Sequence, residues 1–502
     1  MSDSNEQQRV ESSVNGFSRR QFVESVGATG IAAGLAGCSG NSGNSGGEGT
    51  TVGNSGDGGV TITWNTHDYD DDEKEAISET LEAELPDNIT VELADQPGET
   101  TDDTQSQYNQ WLSSGRSTPD IITPDTAWSI PYVVRGQVLN LSEHMSQESL
   151  DYMQENYVEQ LRGTMTDRDG NLFGVQYNTD IAGIQYRKDL VEDAGYDPEG
   201  ENWMTEGMSW QDFSQMIADV LEQNSDIDYG FTFQGSAYEG LSCCNYNEWM
   251  TSFGGAYFGG RDNLFGPVGD RPVTVDEEPH YQALRMIRTF IHGEDDEHAL
   301  DGFAGDISPS ATLQWAEDTS LQPFVDGNAI ANRNWPTTWT TSGAEDAHGE
   351  DLGVMPIPYG VPDGEGEYEG TGGVGRSFVG GWTCMVNPNS ENVEEAVQVL
   401  EAMVGNEEFR TTLFELTGTL PPDISLLESD ALEGIGPVSR YLDVLRTTAP
   451  RAIPRAATVA WGPESSQISQ EVNSCLNQEK SPEQAMSNLK SSIEDIEAEL
   501  SE

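Results

Sequence analysis

Lysine is nearly missing from this 502-residue chain. Only Lys74, Lys188, Lys480 and Lys490 occur, in a set of 23 basic side chains set against 88 acidic ones, for a formal net charge of −65. That deficit argues against nucleic acid or an anionic membrane surface as a partner, since both would be repelled. A chain so charged also repels itself in dilute buffer. At molar salt, where the Debye length falls to about 3 Å, the repulsion is screened. The acids are spread along the chain rather than gathered in a tail, so the acidity reads as adaptation of the whole surface to high salt and not as a cation-storing segment. Cysteine is scarce as well, with five residues. No Cys-x-x-Cys, His-Glu-x-x-His or calcium-loop spacing occurs, so no metal site is expected, and Asp70-Asp71-Asp72 reads as a solvated helix start. Gly372–Ser377 lacks the lysine of a phosphate-binding loop. No cofactor is implied.

Long apolar runs are absent too. Val26 to Gly37 is too short and too weakly apolar to be a good membrane span, which needs about 20 residues. It follows Arg19-Arg20 and ends in Leu35-Ala36-Gly37-Cys38. The order resembles a twin-arginine export signal (residues 1–37) closed by a lipobox, with Cys38 as the lipidated residue. Residues 38–59 then form a tether rich in Gly, Ser and Asn, which cannot bury a core. Four cysteines remain: Cys243, Cys244, Cys384 and Cys475. An exported protein could pair them. Neighbouring Cys243 and Cys244 are not expected to bond to each other, because the ring would be strained; the connectivity is left open.

The remaining length is too great for one core, so two lobes are expected. Val60–Trp64, Ile89–Leu93 and Pro119–Ile122 read as strands, separated by helices at Glu73–Leu85 and Gln105–Ser113. That alternation predicts a parallel sheet with ligands beyond the carboxyl ends of its strands, where His67, Asp68 and Asp125 fall. A helix is expected over Gln147–Leu161. Asp169-Gly170-Asn171 is a turn leading into an apolar strand, Leu172–Tyr177. Asn178-Thr179-Asp180 interrupts the apolar residues before Ile181–Tyr186 resumes them. A polar triplet between two strands fits a chain crossing a cleft, with Asp180 facing it. Ser209 caps a helix whose apolar residues (Phe213, Met216, Ile217, Val220, Leu221) keep a helical period. The later segment Ser377–Val386 is interrupted in the same manner by Gly380-Gly381-Trp382. Helices Val393–Met403, Glu407–Thr417, Gln467–Leu476 and one from Pro482 close the chain.

The order of these motifs resembles the extracellular solute-binding proteins of sugar-importing ABC transporters, of the maltose- and trehalose/maltose-binding type, here as a lipoprotein of haloarchaeal kind. Gly170–Leu190 is similar to that family's "DG.LYGLPY..D…LYYNKDL" segment, Trp210–Phe213 to "TWDEF", Phe324–Pro336 to "F..GK…….WPW" and Gly380–Trp382 to "GGW". Gly418–Pro421 matches "G.LP", and Ser481–Ala485 matches "SPEEAL". The likeness covers about residues 60–500, and its strength lies in the colinear set. It implies an α/β, two-lobed periplasmic-binding-protein fold (type II-like), each lobe a mainly parallel sheet flanked by helices, joined by three hinge crossovers. Lobe 1 would combine 60–178 with 384–420, and lobe 2 would combine 181–378 with 424–500.

A sugar offers paired hydroxyls and an apolar C–H face, so a site for it needs carboxylates, a guanidinium and aromatic rings. Asp125 and Asp180 are the candidate carboxylates, Trp335 and Trp382 the stacking rings, and Arg455 the cation, which could equally serve a structural ion pair. Gly381 and Asn178 flank the interrupted crossings, and Asp68, Trp128 and His67 are weaker candidates. Family members often carry an aromatic two residues past the first tryptophan; this chain has Thr337. The expected role is non-enzymatic capture of a sugar by a monomer, for delivery to ABC permease subunits with their ATPase inside. The expected location is the outer face of the membrane, with anchoring through Cys38. An exported carbohydrate hydrolase using Asp125 and Asp180, or a receptor for another polar solute, is the alternative.

Overall fold

The structure is a computed structural model that describes residues 59–501 apart from Glu99. The twin-arginine segment, Cys38 and the tether as far as residue 58 lie outside the described residues. The strands in the first half are β1 (Val60–Asn65), β2 (Ile89–Ala94), β3 (Ile121–Ile122), β4 (Val175–Gln176), β5 (Asp180–Ile181) and β6 (Gly183–Arg187). The second half adds β7 (Tyr229–Thr232), β8 (Ala329–Asn334), β9 (Leu352–Met355), β10 (Phe378–Gly380), β11 (Thr383–Val386) and β12 (Ile453–Pro454).

They form three sheets, ordered β2-β1-β3-β11-β4, β12-β10-β5 and β7-β8-β6-β9. The expected parallel pairing holds at β2-β1-β3 and at β7-β8. The other ladders of the two large sheets are antiparallel, so both are mixed rather than mainly parallel. The cause is the traffic between sheets: β11 re-enters the first one from the far side and runs against both β3 and β4. The small sheet joins the three strands beside the crossings, with Val379 opposite Ile181 and Gly380 opposite Asp180. The stretch around Thr419–Ile424, where the resemblance implies the third crossover, passes the same place: the Thr179 N–H donates to the Leu420 carbonyl at 3.1 Å.

Local chemistry explains the elements. In β1, Ile62 and Trp64 point inward and are fully buried while Thr61 is exposed, the period-2 pattern of a half-covered strand. The acidic triplet is a helix start, as expected. Asp70 caps α1 (Asp71–Glu82), accepting from the Glu73 N–H at 2.8 Å, while the Glu73 carboxylate accepts from the Asp70 N–H at 3.0 Å. The reading missed α2 (Thr126–Val134), which begins at the Asp125 cap and carries Pro131 inside; the proline concealed its period. Ser209 caps α3 (Trp210–Gln223), whose apolar face from Trp210 to Val220 is buried. The predicted strand Leu172–Tyr177 shrinks to β4, and the helix over 147–161 stops at Asn156.

The cysteine expectation is overturned. Cys243 and Cys244 form a disulfide with each other, while Cys384 and Cys475 are buried free thiols. The pair sits in a widened turn, Leu241–Asn245, closed by a Tyr246 N–H bond to the Leu241 carbonyl.

Each of the four lysines pairs with an acid: Lys74 with Asp95, Lys188 with Glu199, Lys480 with Glu471 and Lys490 with Asp276. Several arginines are instead buried, among them Arg333 against Glu248 and Arg271 against Glu464 and Glu497. Inside, such pairs avoid the cost of an uncompensated charge.

Candidate functional site

A cleft of about 560 Å³ opens where the crossings meet. Its walls are built from the ends of strands: His67 follows β1, Asp125 follows β3, Trp335 follows β8, Gly381 and Trp382 precede β11, and Arg455 follows β12. Asn178 and Asp180 enter from the first crossing. Strand ends suit a site because backbone pairing holds them rigid while the next residues are free to face solvent.

Asp125 is buried. It caps α2, accepting from the Ala127 N–H at 2.7 Å, and receives a short hydrogen bond from Arg455 Nη2. Arg455 also donates to Thr126 Oγ1 at 3.0 Å and approaches Glu239 at 3.5 Å, so one guanidinium ties together two buried acids. Its Nε–H is buried and has no partner among the described residues, which leaves a donor to offer. Arg455 therefore makes a structural ion pair and also lines the cleft. Burial pushes the Asp125 carboxyl up to about 6, against the pull of Arg455. Burial also raises Asp180 to about 6, helped by the charge of Asp125. Among the described residues, the one side-chain hydrogen bond that Asp180 receives comes from Asn178 Nδ2 at 2.9 Å.

The two tryptophans are fixed from behind. Trp382 meets His67 edge-on at 4.8 Å and Trp128 edge-on at 5.7 Å, while its backbone N–H donates to Asn178 Oδ1 at 2.7 Å. Trp335 rests on the Arg333 guanidinium at 4.4 Å and meets Phe378 edge-on at 6.2 Å. Both rings are half-buried, which leaves part of each free to receive a ligand. Burial holds His67 down at about 4, so the ring is neutral and acts as packing and as a hydrogen-bonding group rather than as a cation.

The predicted residues are thus largely gathered into one place, with one exception. Trp128 is 2% exposed and does not line the cleft; it supports Trp382 and donates to Glu239 Oε2 at 3.0 Å. Asp68 lies on the exposed rim and accepts from the Gln96 N–H at 3.1 Å. Thr337 does line the cleft, so that wall carries a hydroxyl where an aromatic was expected by resemblance. Sequence reasoning missed Glu239, a buried acid gripped by Trp128, Trp461 and Arg455, because nothing near it marks it out among so many acids. It also missed Glu317 and Asp318 on the rim and the Cys243–Cys244 pair in the wall. For the last there was a signal, two adjacent cysteines in a chain expected to be exported.

Comparison with known proteins gives a consistent result. A family model described as "Bacterial extracellular solute-binding protein" matches residues 76–433. A "Probable ABC transporter-binding protein" of Deinococcus radiodurans is 25% identical over 415 residues, covering 80% of this chain and 86% of its own. Among solved structures, maltose-bound MalE3 of T. maritima superposes with a TM-score of 0.67 at 21% identity, covering 86% of this chain and 98% of that one. An ABC transporter solute-binding protein of Thermotoga lettingae bound with alpha-D-tagatose gives 0.69 at 18% identity, covering 87% and 99%. At these identities the two structures speak to the fold: a two-lobed solute-binding architecture.

Proposed function

The chain belongs to the bacterial extracellular solute-binding protein family, and from that premise we propose that it captures a sugar or oligosaccharide of maltose or trehalose type in the cleft and hands it to an ABC permease. The observation that carries this reading is the cleft itself. It combines two carboxylates, a guanidinium with an unpartnered N–H, and two half-buried indoles around about 560 Å³. Carboxylates accept from paired hydroxyls, Arg455 donates to ring or hydroxyl oxygens, and the indoles cover apolar C–H faces. The relatives' ligands support a sugar: maltose in one and tagatose in another. The lobes are proposed as 60–178 with 384–420 and 181–378 with 424–500, closing by hinge motion about the small sheet.

Catalysis is not part of the proposal. Hydrolysis requires one carboxylic acid poised to give its proton to a leaving oxygen. Asp125 is instead bonded to Arg455 and to the Ala127 N–H, which favour its ionised form.

The remaining parts of the reading rest on the sequence. Twin-arginine export, lipidation at Cys38 and the tether would hold a monomeric receptor on the outer face of the membrane, in contact with permease subunits. The acid excess, with every lysine already paired, suits high salt.

The purified protein, titrated in molar salt with a panel of mono- and oligosaccharides, should change its tryptophan fluorescence and retain the sugar without turning it over. No response to any sugar would refute capture, and product formation would favour a hydrolase. Dialysis to millimolar salt should cost helical circular dichroism; a spectrum that stays unchanged would end the high-salt reading.

A further inference from the structure

The wall that follows Trp335 is built from threonine. Pro336–Ser342 is a short helix, α4, and its Thr337, Thr338, Thr340 and Thr341 all line the cleft. The helical period sorts its residues, PTTWTTS. Pro336, Trp339 and Ser342 turn into the protein and are buried. Thr337 and Thr341, four residues apart, share the middle of the opposite face, and Thr338 and Thr340 flank it. Thr337 is half-buried and Thr341 exposed, so both are open to the cleft. The four hydroxyls are not equivalent. Thr338 Oγ1 donates to the Trp335 carbonyl at 2.9 Å and Thr340 Oγ1 to the Thr337 carbonyl at 2.6 Å, whereas the Thr337 and Thr341 hydroxyls bond nothing among the described residues. Each of these two can donate one hydrogen bond and accept others. The helix itself is fixed from behind. Trp339 meets Tyr441 edge-on at 5.9 Å, and the Pro336 carbonyl lies so near Gly418 that a Cβ there would stand 2.7 Å from its oxygen.

We propose that Thr337 and Thr341 form an outer subsite that bonds the hydroxyls of a second sugar ring, beside the ring held by the indoles and carboxylates. The inference rests on the sugar-binding reading above and deepens it: the ligand has at least two units. Both indoles that line the cleft sit at strand ends, Trp335 just before α4 and Trp382 on the second crossing. From Thr337 to Thr341 the helix rises about 6 Å, room for one ring more. There the wall offers hydroxyls and methyls and no indole, so the outer ring is read by its hydroxyl pattern rather than covered on a face. The Cβ atoms of residues so spaced are about 5–6 Å apart, so the two threonines reach separate ligand hydroxyls. A monosaccharide seated at the indoles leaves Thr341 unused. Because α4 is already held by Trp339 and Gly418, little ordering is needed when the ligand arrives.

The test is calorimetric titration in molar salt with glucose, maltose and trehalose, for the wild type and for T337V/T341V, in which each hydroxyl becomes a methyl of nearly the same volume. The wild type should bind one of the disaccharides more tightly than glucose, by about tenfold or more. The variant should lose about tenfold on that disaccharide, the worth of two hydrogen bonds, and less than about twofold on glucose. Where glucose binds too weakly to titrate, the loss on the disaccharide decides alone. Circular dichroism reports whether the variant is folded. If it is not, T341V, which changes only an exposed side chain, should lose about threefold on the disaccharide. Disaccharides bound no better than glucose, an unchanged disaccharide affinity in the variant or an equal loss on both sugars would each overturn the outer subsite while leaving sugar capture intact. A wild-type protein that binds no sugar would sink both.

Discussion

The two interrupted crossings do the same job by opposite means. At Asn178-Thr179-Asp180 the chain is held by what its side chains add. Asn178 donates to Asp180 and accepts from the Trp382 N–H, and Thr179 Oγ1 accepts from Gln176 Nε2 at 3.1 Å. At Gly380-Gly381-Trp382 the chain is held by what a side chain would prevent. Gly381 has φ of +147°, and a Cβ there would stand 2.2 Å from the Asn178 carbonyl oxygen. The two breaks interlock, since the Tyr177 N–H also donates to the Trp382 carbonyl at 2.8 Å. One crossing can therefore supply polar groups to the cleft and the other a bare backbone plus a ring. A hinge made from two copies of either would lack half of the chemistry.

That contrast can be broken at several points. The largest effect is expected from Gly381→Ala, which forces both a strained backbone and a clash with the other crossing. Unfolding in molar salt should show a loss of about 3 kcal/mol or more, and a loss under about 1 kcal/mol would mean the crossings do not depend on that approach. Trp382→Ala removes the ring but not the backbone. Sugar affinity should drop by about 2 kcal/mol, roughly thirtyfold, with a smaller change in stability; calorimetric titration showing equal affinity would move the stacking role elsewhere.

Asn178→Ala tests the polar crossing. It leaves the Trp382 N–H unpaired and frees Asp180, at a cost of about 1–2 kcal/mol in chemical denaturation. The smallest effect is that of pH. The usual value near 3.8 is raised to about 6 for both Asp125 and Asp180, chiefly by burial. The folded chain thus holds these protons more tightly than the unfolded one. Their contribution to stability is full below 3.8 and is lost as pH rises through about 6. Sugar hydroxyls need the ionised form as acceptor, so affinity moves the other way and should weaken as pH falls below about 6, by at most about tenfold per unit for each linked proton. The slope should flatten in Asp180→Asn, and a profile that is level from pH 7 to 5 would remove these carboxylates from the site.

Much of this was legible in the chain. The broken strands were visible as polar or glycine-rich interruptions of β-branched runs, because a strand that leaves a core must stop being apolar there. Asp125, Asp180, Trp335, Trp382 and Arg455, which all line the cleft, were singled out by local context (strand ends, Gly and Pro neighbours, a scarce positive charge) together with the resemblance. Trp128 was misread for the same reason, since its neighbourhood looks alike whether the ring lines a cleft or stands behind one. Glu239 was invisible because its meaning comes from Trp128, Trp461 and Arg455, which lie far from it in sequence.

By itself, then, the sequence determined the charge regime, the succession of strands and helices, and where the chain crosses between sheets. These follow from composition and from periods of two and 3.6 residues, which are local properties. Only the tertiary structure decided that the sheets are mixed, that Arg455 bonds Asp125 beside Glu239, and that two adjacent cysteines bond to each other beside the cleft. Each of those depends on which distant residues come within a few ångströms of one another, and no local pattern encodes that.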